Sequence, residues 1–557
     1  MHVIELKRTY RRYDPEQTRL MPTDLREWLP DDHLSLFIDE LVNALDLSAI
    51  YAYFERSDRG SPPYDPRMMV KLLIYAYANG INSSRKIQKG MVEDIGFRYL
   101  GADNFPDFRT ICLFRSTHME AIMDLFGQVL LLCENANMVK MGVVALDGTK
   151  VKANASLDRN RTKKNLSEER EKMEAIAREL LENAERADEA EDLIYGDYDG
   201  YSLPEGFRTR RERLDRIREA ERQIEEKELE EESKERKKRE KYLEDWKNKE
   251  REAAAEGRRL PGRRPNEFVS ENPEGTEGTK EVGGEEKTVP ETGGTGETGT
   301  EDGEKEKEKE KKGKRKKEVR RNTTDPDSRI MKTGNGYVQG YNCQAVADCE
   351  SKVIVYSDVT DDENDLHQLR PMLEGLVRTT GRAPARLTAD AGYFYEDEVE
   401  AVMGLREEGE DADEMGTGEN DGNVETPDPV KEMMRGTELY IATKNRWREK
   451  GPPPKGRIPK DCTTTQRMER KLRTKEGKRI YGERAPTIEP VFGNIKCAIG
   501  FKGFVLRGKK KVRFEWVMAC MGHNVRKLEK KLGGAMKGGI KVMERFWPAD
   551  AGTSPHI

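Results

Sequence analysis

The chain has 557 residues, of which 37% are charged, and its mean hydropathy is −0.91, yet its formal net charge is only −6. No run of about 18 apolar residues occurs, which excludes a membrane-spanning helix, and seven cysteines without a Cys-x-x-Cys pair exclude the usual zinc and disulfide frameworks. We therefore expect a soluble cytoplasmic protein of several domains, whose charge has to be considered region by region.

Residues 1–138 predict a compact all-helical domain, because their apolar residues recur at helical spacing between Gly and Pro turns. This pattern fits a helix-turn-helix DNA-binding domain and a plain helical bundle equally well, so both interpretations are open. The cations that favour the first are Arg85, Lys86, Lys89, Arg109 and Arg115.

Residues 159–321 form an insertion that accounts for the unusual bulk composition. In 159–260, opposite charges lie three or four residues apart, which predicts an exposed charged helix or a partial coiled coil. Residues 261–321 are of low complexity and hold too few apolar side chains to offset the entropy of ordering, so we expect disorder there.

Strands alternate with helices on both sides of this insertion, which predicts one mixed α/β domain built from residues 139–158 and 322–531. Residues 532–557 would be a tail.

The stretch MGVVALDGTKVKANAS, residues 141–156, allows two interpretations of Asp147. Asp-Gly between two strand-like runs is a strong signal for a tight hairpin turn. Alternatively, Asp147 ends a buried run as a metal ligand, which requires further carboxylates. Asp390 repeats the pattern at the end of ARLTAD and is, taken alone, an ordinary turn or helix-capping residue.

A third acid, Glu489, lies in the stretch YGERAPTIEPVFGNIK, where we expect Pro490 to fall in the first turn of a helix. Lys496 follows Glu489 by seven residues, so both project from the same helical face. A carboxylate beside cations suits a surface that holds a metal ion and phosphates.

Four blocks together resemble the DDE transposases of bacterial and archaeal insertion sequences. They are ALDGTKVKANAS, DPDSRIMKTGNGYVQGYNCQAVAD, LTADAGY and the closing YGERAPTIEPVFGNIK, which is similar to the Tyr-Arg-Glu-Lys signature of these enzymes. A helical stretch within residues 60–145 resembles their N-terminal domain. One spacing departs from the best-known signature, since four residues separate Arg484 from Glu489 where three are usual.

The resemblance implies an RNase H-like mixed sheet with flanking helices, carrying Asp147, Asp390 and Glu489 as the catalytic and metal-binding triad. Two Mg²⁺ ions per site, with Mn²⁺ as a substitute, suit such hard carboxylate ligands. Double-stranded DNA, at the element ends and at the target, is the implied substrate. A homodimer on DNA, associated with the nucleoid, is implied as well.

Residues 496–531 carry eleven Lys or Arg and two acids, which predicts a phosphate-binding surface. Interleaved Phe501, Phe504, Phe514 and Trp516 favour this over a merely solvated helix face. The DNA-binding residues expected from the signature and this stretch are Tyr481, Arg484, Lys496, Lys502, Arg507, Lys509, Lys510, Lys511 and Arg513.

Two further expectations concern single residues. Tyr393, three residues past Asp390, would stack on a flipped base, and His523 would pack within a helix rather than bind a metal. Two alternatives to an active transposase stay open: an inactive, domesticated DNA-binding protein with the same fold, and a coiled-coil interaction protein built around 159–260.

Overall fold

The computed structural model describes residues 24–54, 62–176, 178, 207–255, 319–334, 336–404, 429–443, 447–459 and 461–536. The chain divides into two compact units, Met1–Arg159 with Thr324–Ile557, and Asn160–Thr323. Most of the segment expected to be disordered, 261–321, and most of the expected tail, 532–557, lie outside the described residues. Within the described residues, no helix is long and apolar enough to cross a membrane.

The N-terminal part of the first unit is helical. Carboxylates begin several of its helices: Asp65, Asp94 and Asp107 each accept a backbone N–H from the first turn that follows. Pro66 occupies the first helical position, where its missing N–H costs nothing. The helices are α1 (Leu34–Ala44), α2 (Ser48–Phe54), α3 (Pro66–Ala78), α4 (Ser84–Glu93), α5 (Ile95–Gly101), α6 (Phe108–Thr117) and α7 (Met119–Asn135).

A six-stranded mixed sheet forms the centre of the first unit. The strands are β1 (Val143–Lys152), β4 (Arg329–Thr333), β5 (Gly336–Asp348), β6 (Ile354–Thr360), β7 (Arg386–Ala389) and β8 (Glu438–Ile441). Along the sheet the order is β6-β5-β1-β7-β8, and β4 pairs with the first half of β5. Strand β5 is antiparallel to β1, β4 and β6, whereas β7 is parallel to both β1 and β8.

The hairpin interpretation of the Asp-Gly pair is wrong. Strand β1 runs straight through Asp147 and Gly148, and it pairs with β5 without interruption from Val144 opposite Asp348 to Lys152 opposite Gly340. A long partner strand therefore overrides the local turn signal. Gly148 serves close approach instead, because a Cβ there would lie 2.5 Å from Asp365 Oδ1 and 2.6 Å from Gln344 Nε2.

Helices cover the sheet in the second half of the first unit. They are α10 (Leu369–Thr380), α11 (Glu396–Met403), α12 (Pro429–Arg435), α13 (Thr464–Leu472), α14 (Lys475–Gly482), α15 (Arg484–Gly493) and α16 (Lys509–Met536). Helix α15 begins earlier than expected, so Pro490 lies inside it rather than in its first turn. A π-helical segment, Asn494–Ile499, follows directly.

Helix α16 packs against β6, α3 and α7, and so joins the sheet to the N-terminal helices. His523 is buried on this helix, with Nδ1 2.9 Å from Asn494 Oδ1 and Nε2 3.0 Å from the Lys352 carbonyl oxygen. This confirms the expected packing role of His523. Arg115 is buried as well and donates to the Asn82 carbonyl oxygen at 2.9 Å.

The second unit contains a two-stranded ribbon, β2 (Asn160–Thr162) and β3 (Arg320–Asn322), and two helices, α8 (163–176) and α9 (Phe207–Ala255). Because Arg320 and Arg321 lie in β3, the expectation of disorder is wrong for these last residues of 261–321. Leu166 of α8 packs on a stripe of α9 formed by Ile217, Ala220 and Ile224. Ion pairs such as Arg170–Glu221, 2.9 Å, flank this contact.

Candidate active site

Asp147 and Asp390 lie on neighbouring parallel strands at the same edge of the sheet. The pairing of β1 with β7 ends at Ala145 opposite Thr388, and each aspartate lies two residues further along its strand direction. Asp390 follows the last residue of β7 and accepts the N–H of Gly392 at 2.8 Å. Carboxyl ends of parallel strands are a usual place for sites, and here the end of β7 brings Asp390 level with Asp147 on the neighbouring strand β1.

Arg484, the first residue of α15, forms an ion pair with Asp147: its Nη1 lies 2.7 Å from Asp147 Oδ2. Both side chains are largely buried, with 16% and 19% of their surface exposed. The pKa of Asp147 is raised to about 6, chiefly by burial and to a smaller extent by Asp390 and Asp365, although Arg484 and the Gly148 N–H lower it. Burial thus outweighs the effect of the one cation that pairs with this carboxylate.

Lys496 lies on the π-helical segment and reaches back to β1. Its Nζ donates to Thr149 Oγ1 at 2.5 Å and to the Lys150 carbonyl oxygen at 3.1 Å. Burial lowers the pKa of Lys496. Arg484 therefore contacts β1 at Asp147, and Lys496 contacts it at the next residues along, Thr149 and Lys150.

Glu489 lies on α15 between these two cations in sequence, and its side chain is exposed. Within the described residues, no hydrogen bond or ion pair joins Glu489 to Asp147 or Asp390. Tyr481 is buried, and the Arg448 guanidinium lies 5.5 Å from the centre of its ring.

Asp365, which the sequence analysis missed, lies at the same sheet edge. It follows β6, which runs in the same direction as β1, so the two strands end at the same edge. Asp365 Oδ1 accepts hydrogen bonds from Asn342 Nδ2 at 2.7 Å and Gln344 Nε2 at 2.8 Å. The acidic run DDENDLHQL directly after a strand was the available signal.

Carboxylate oxygens are the donors that Mg²⁺ and Mn²⁺ prefer, and Asp390 and Asp365 lie near enough to Asp147 to act on its pKa. The residues present therefore fit a divalent ion. Among the described residues, no three His, Cys, Asp or Glu side chains are arranged to hold one ion together. Side chains such as Asp147, paired with Arg484, would have to rotate on binding.

Tyr393 does not offer a surface for a base. Its side chain is fully buried and its hydroxyl donates to Gln344 Oε1. The stacking interpretation is wrong because the short helix after Asp390 turns the ring inward, beneath the site.

The basic stretch of 496–531 divides into two kinds of cation. Lys509, Lys510 and Arg513 form ion pairs with Asp361, Glu120 and Asp358. Lys502 and Lys511 are exposed, and Arg507 donates to the Asn154 carbonyl oxygen at 3.0 Å. The interleaved aromatic residues give no support to DNA stacking, because all four belong to the buried core: Phe501, Phe504, Phe514 and Trp516.

Two stretches of the chain match family models. Residues 23–117, which include α1–α6, match a transposase domain (DUF772), and residues 457–529 match a transposase DDE domain. The second match contains Tyr481, Arg484, Glu489 and Lys496. Comparison with curated proteins and with solved structures gave no match.

Proposed function

We propose that this chain, an insertion-sequence DDE transposase by its two family matches, binds the ends of its element and cuts and joins DNA strands at Asp147, Asp390 and Glu489. One observation carries the proposal: Asp147 within β1 and Asp390 after the end of the neighbouring parallel strand β7 lie beside the helix that bears the signature, with Arg484 Nη1 2.7 Å from Asp147.

The strand order supports an RNase H-like catalytic domain. Three strands, β6, β5 and β1, are successively antiparallel, and β7 and β8 continue in parallel on the other side of β1. This arrangement puts β1 at the centre of the sheet, so Asp147 projects from the central strand, two residues beyond the last residue pair of β1 with β7.

The chain's own residues would bind and orient the DNA backbone. Arg484 donates to Asp147 through Nη1, and its guanidinium has further N–H donors for a phosphate oxygen. Lys496 is fixed by β1 and adds positive charge next to the same strand. Divalent cations, when bound by the carboxylates, supply the activation of water or of a 3′-hydroxyl and stabilise the leaving 3′-oxygen.

Glu489 is the least constrained member of the proposed triad. It shares a helix with Arg484, and its exposed position leaves it accessible to a cation or to DNA. Because two element ends must be processed together, we also propose a homodimer on DNA.

The test is strand nicking of a DNA fragment that carries the element's ends, with Mg²⁺, Mn²⁺ or EDTA. Asp147→Asn, Asp390→Asn and Glu489→Gln should each lose at least about 100-fold in rate, since each removes charge stabilisation of several kcal/mol. Asp362→Asn, an exposed carboxylate of a nearby loop, is the matched control and should nick normally.

Other outcomes separate the alternatives. Wild-type protein that binds the ends but never nicks them would support the inactive DNA-binding protein instead. Nicking that survives Glu489→Gln, but not the two aspartate variants, would mean that another residue is the third acid.

A further inference from the structure

Asp365 occupies the loop between β6 and α10 and faces the proposed catalytic carboxylates. Its Oδ1 is held by side chains of β5, Asn342 at 2.7 Å and Gln344 at 2.8 Å, and Lys150 Nζ lies 3.6 Å away. Tyr393 donates its hydroxyl to Gln344 Oε1, which turns the amide so that Nε2 points to Asp365. One oxygen of this carboxylate is therefore fixed from three directions.

The second oxygen, Oδ2, lies toward Asp390. A Cβ built on Gly392 would be 3.0 Å from Asp390 Oδ1 and 3.5 Å from Asp365 Oδ2. Both carboxylate oxygens thus lie within 3.5 Å of one point, which a side chain at position 392 would fill. Gly392 and Gly148 together leave open the space around Asp365.

One polar atom beside Asp365 is buried and makes no hydrogen bond in the described part of the chain: Asn342 Oδ1. Asn342 is completely buried, and its Oδ1 lies 2.9 Å from the position of a Cβ on Gly148. Unsatisfied buried polar atoms are rare in native proteins and call for a partner. A water molecule bound to a cation would offer a donor to Asn342 Oδ1.

We propose that Asp365 is a fourth carboxylate of the cation site, which contributes Oδ2 as a ligand beside Asp390 while β5 fixes Oδ1. This inference rests on the proposed function. It assigns a cation-binding role to a residue outside the signature. Asp365 lies at the site because it follows β6, which runs in the same direction as β1 and β7, so that its carboxyl end is at the same edge of the sheet.

The test measures Mn²⁺ binding to the full-length protein without DNA, from the loss of the free-ion signal in electron paramagnetic resonance. Asp365→Asn keeps the shape and an acceptor for Asn342 and Gln344 but removes the charge. We expect Mn²⁺ affinity to fall tenfold or more. Glu363→Gln removes one charge from an exposed position of the same loop and should leave the affinity unchanged.

Thermal unfolding in EDTA checks the fold, and Asp365→Asn should melt within a few degrees of wild type. If Asp147→Asn and Asp390→Asn weaken Mn²⁺ binding while Asp365→Asn does not, the inference fails and the proposed function stands. If wild type binds no Mn²⁺ and nicks no DNA, both fail. If Glu363→Gln weakens Mn²⁺ binding as much as Asp365→Asn does, the effect arises from the total charge of the loop, and the assignment of Asp365 as a ligand fails.

Discussion

The lack of a side chain at Gly148 allows β1 to lie close to Asp365, in the loop between β6 and α10. A Cβ at this position would meet Asp365 Oδ1 at 2.5 Å, Gln344 Nε2 at 2.6 Å and Asn342 Oδ1 at 2.9 Å. The three side chains are linked by hydrogen bonds from Asn342 Nδ2 and Gln344 Nε2 to Asp365 Oδ1 and have little freedom to withdraw.

We therefore expect Gly148→Ala to lower the free energy of unfolding by about 1–3 kcal/mol, as for other overpacked sites, and to impair nicking. Chemical denaturation gives the first quantity. Gly142→Ala is the control, because a Cβ there has no neighbour within 4 Å. Equal stability of the two variants would contradict this account of Gly148.

His523 should make stability depend on pH. Burial, with Lys527 and Lys530 nearby, lowers its pKa to about 4 despite the Lys352 carbonyl oxygen. The unfolded chain, with a His pKa near 6.5, binds the proton first as the pH falls. The stabilisation is thus complete above about pH 6.5 and is lost progressively as the pH falls toward 4.

Between pH 7 and pH 5 this residue should cost wild type on the order of 2 kcal/mol. The comparison with His523→Gln isolates the effect, because the many carboxylates titrate in both proteins. We expect the stability advantage of wild type over the variant to shrink by that amount in urea denaturation at the two pH values. Parallel pH curves would show that His523 does not bind a proton on unfolding in this range.

Single residues were predictable from the sequence where a strand pattern ends in a carboxylate. Asp147 and Asp390 were identified in this way, and the structure places them level with each other on adjacent strands, Asp147 within β1 and Asp390 after the end of β7. Asp365 was missed because it lies in an acidic run five residues past Thr360, the last residue of β6. Only the order and direction of the strands show that Asp365 lies at the same edge of the sheet as Asp390.

At the scale of elements, the alternation of strands and helices on both sides of the insertion was predictable, but the continuation of β1 through Asp147 and Gly148 was not. A turn signal acts over four residues, whereas the pairing of β1 with β5 extends over nine residue pairs. Such a ladder depends on a strand nearly two hundred residues away in sequence and is invisible to local patterns.

The start of α16 gives a similar lesson about charge. Cations between aromatic residues suggested a nucleic-acid surface, but the aromatic side chains are the buried face of an amphipathic segment. Only the exposed face of this segment is available to DNA, and some of the cations on that face already form ion pairs with acidic side chains.

We expect Lys502→Ala and Lys511→Ala each to weaken binding of end DNA and to reduce the slope of log affinity against log salt by about one. Lys509→Ala and Arg513→Ala should change the slope less, because Asp361 and Asp358 already compensate these cations. Fluorescence anisotropy at several salt concentrations gives the slopes. Equal slopes for the four variants would contradict the division.

On the scale of the whole molecule, the second unit is joined to the first through a ribbon whose strands lie side by side. Asn160 pairs with Asn322, and Thr162 pairs with Arg320. The chain therefore leaves and re-enters the first unit at neighbouring points, as expected for an insertion that interrupts another domain.

Replacing residues 163–319 by Asn-Gly should close the ribbon as a two-residue hairpin. We expect the shortened protein to remain folded, with cooperative unfolding within about 5 °C of wild type, and to retain nicking of end DNA. Circular dichroism melting and the nicking assay test this. Loss of cooperative unfolding would show that the first unit needs the second to fold.

The separation of β1 from β5 also bears on how the protein folds. The central strand pair cannot form until the whole second unit has been synthesised, and contacts that are distant in sequence form slowly. Closing a flexible loop costs about 0.6 kcal/mol for each doubling of its length. If α8, α9 and the ribbon form early, they hold the two chain ends together and shorten the effective loop. The inserted unit would then accelerate the assembly of the sheet that it interrupts.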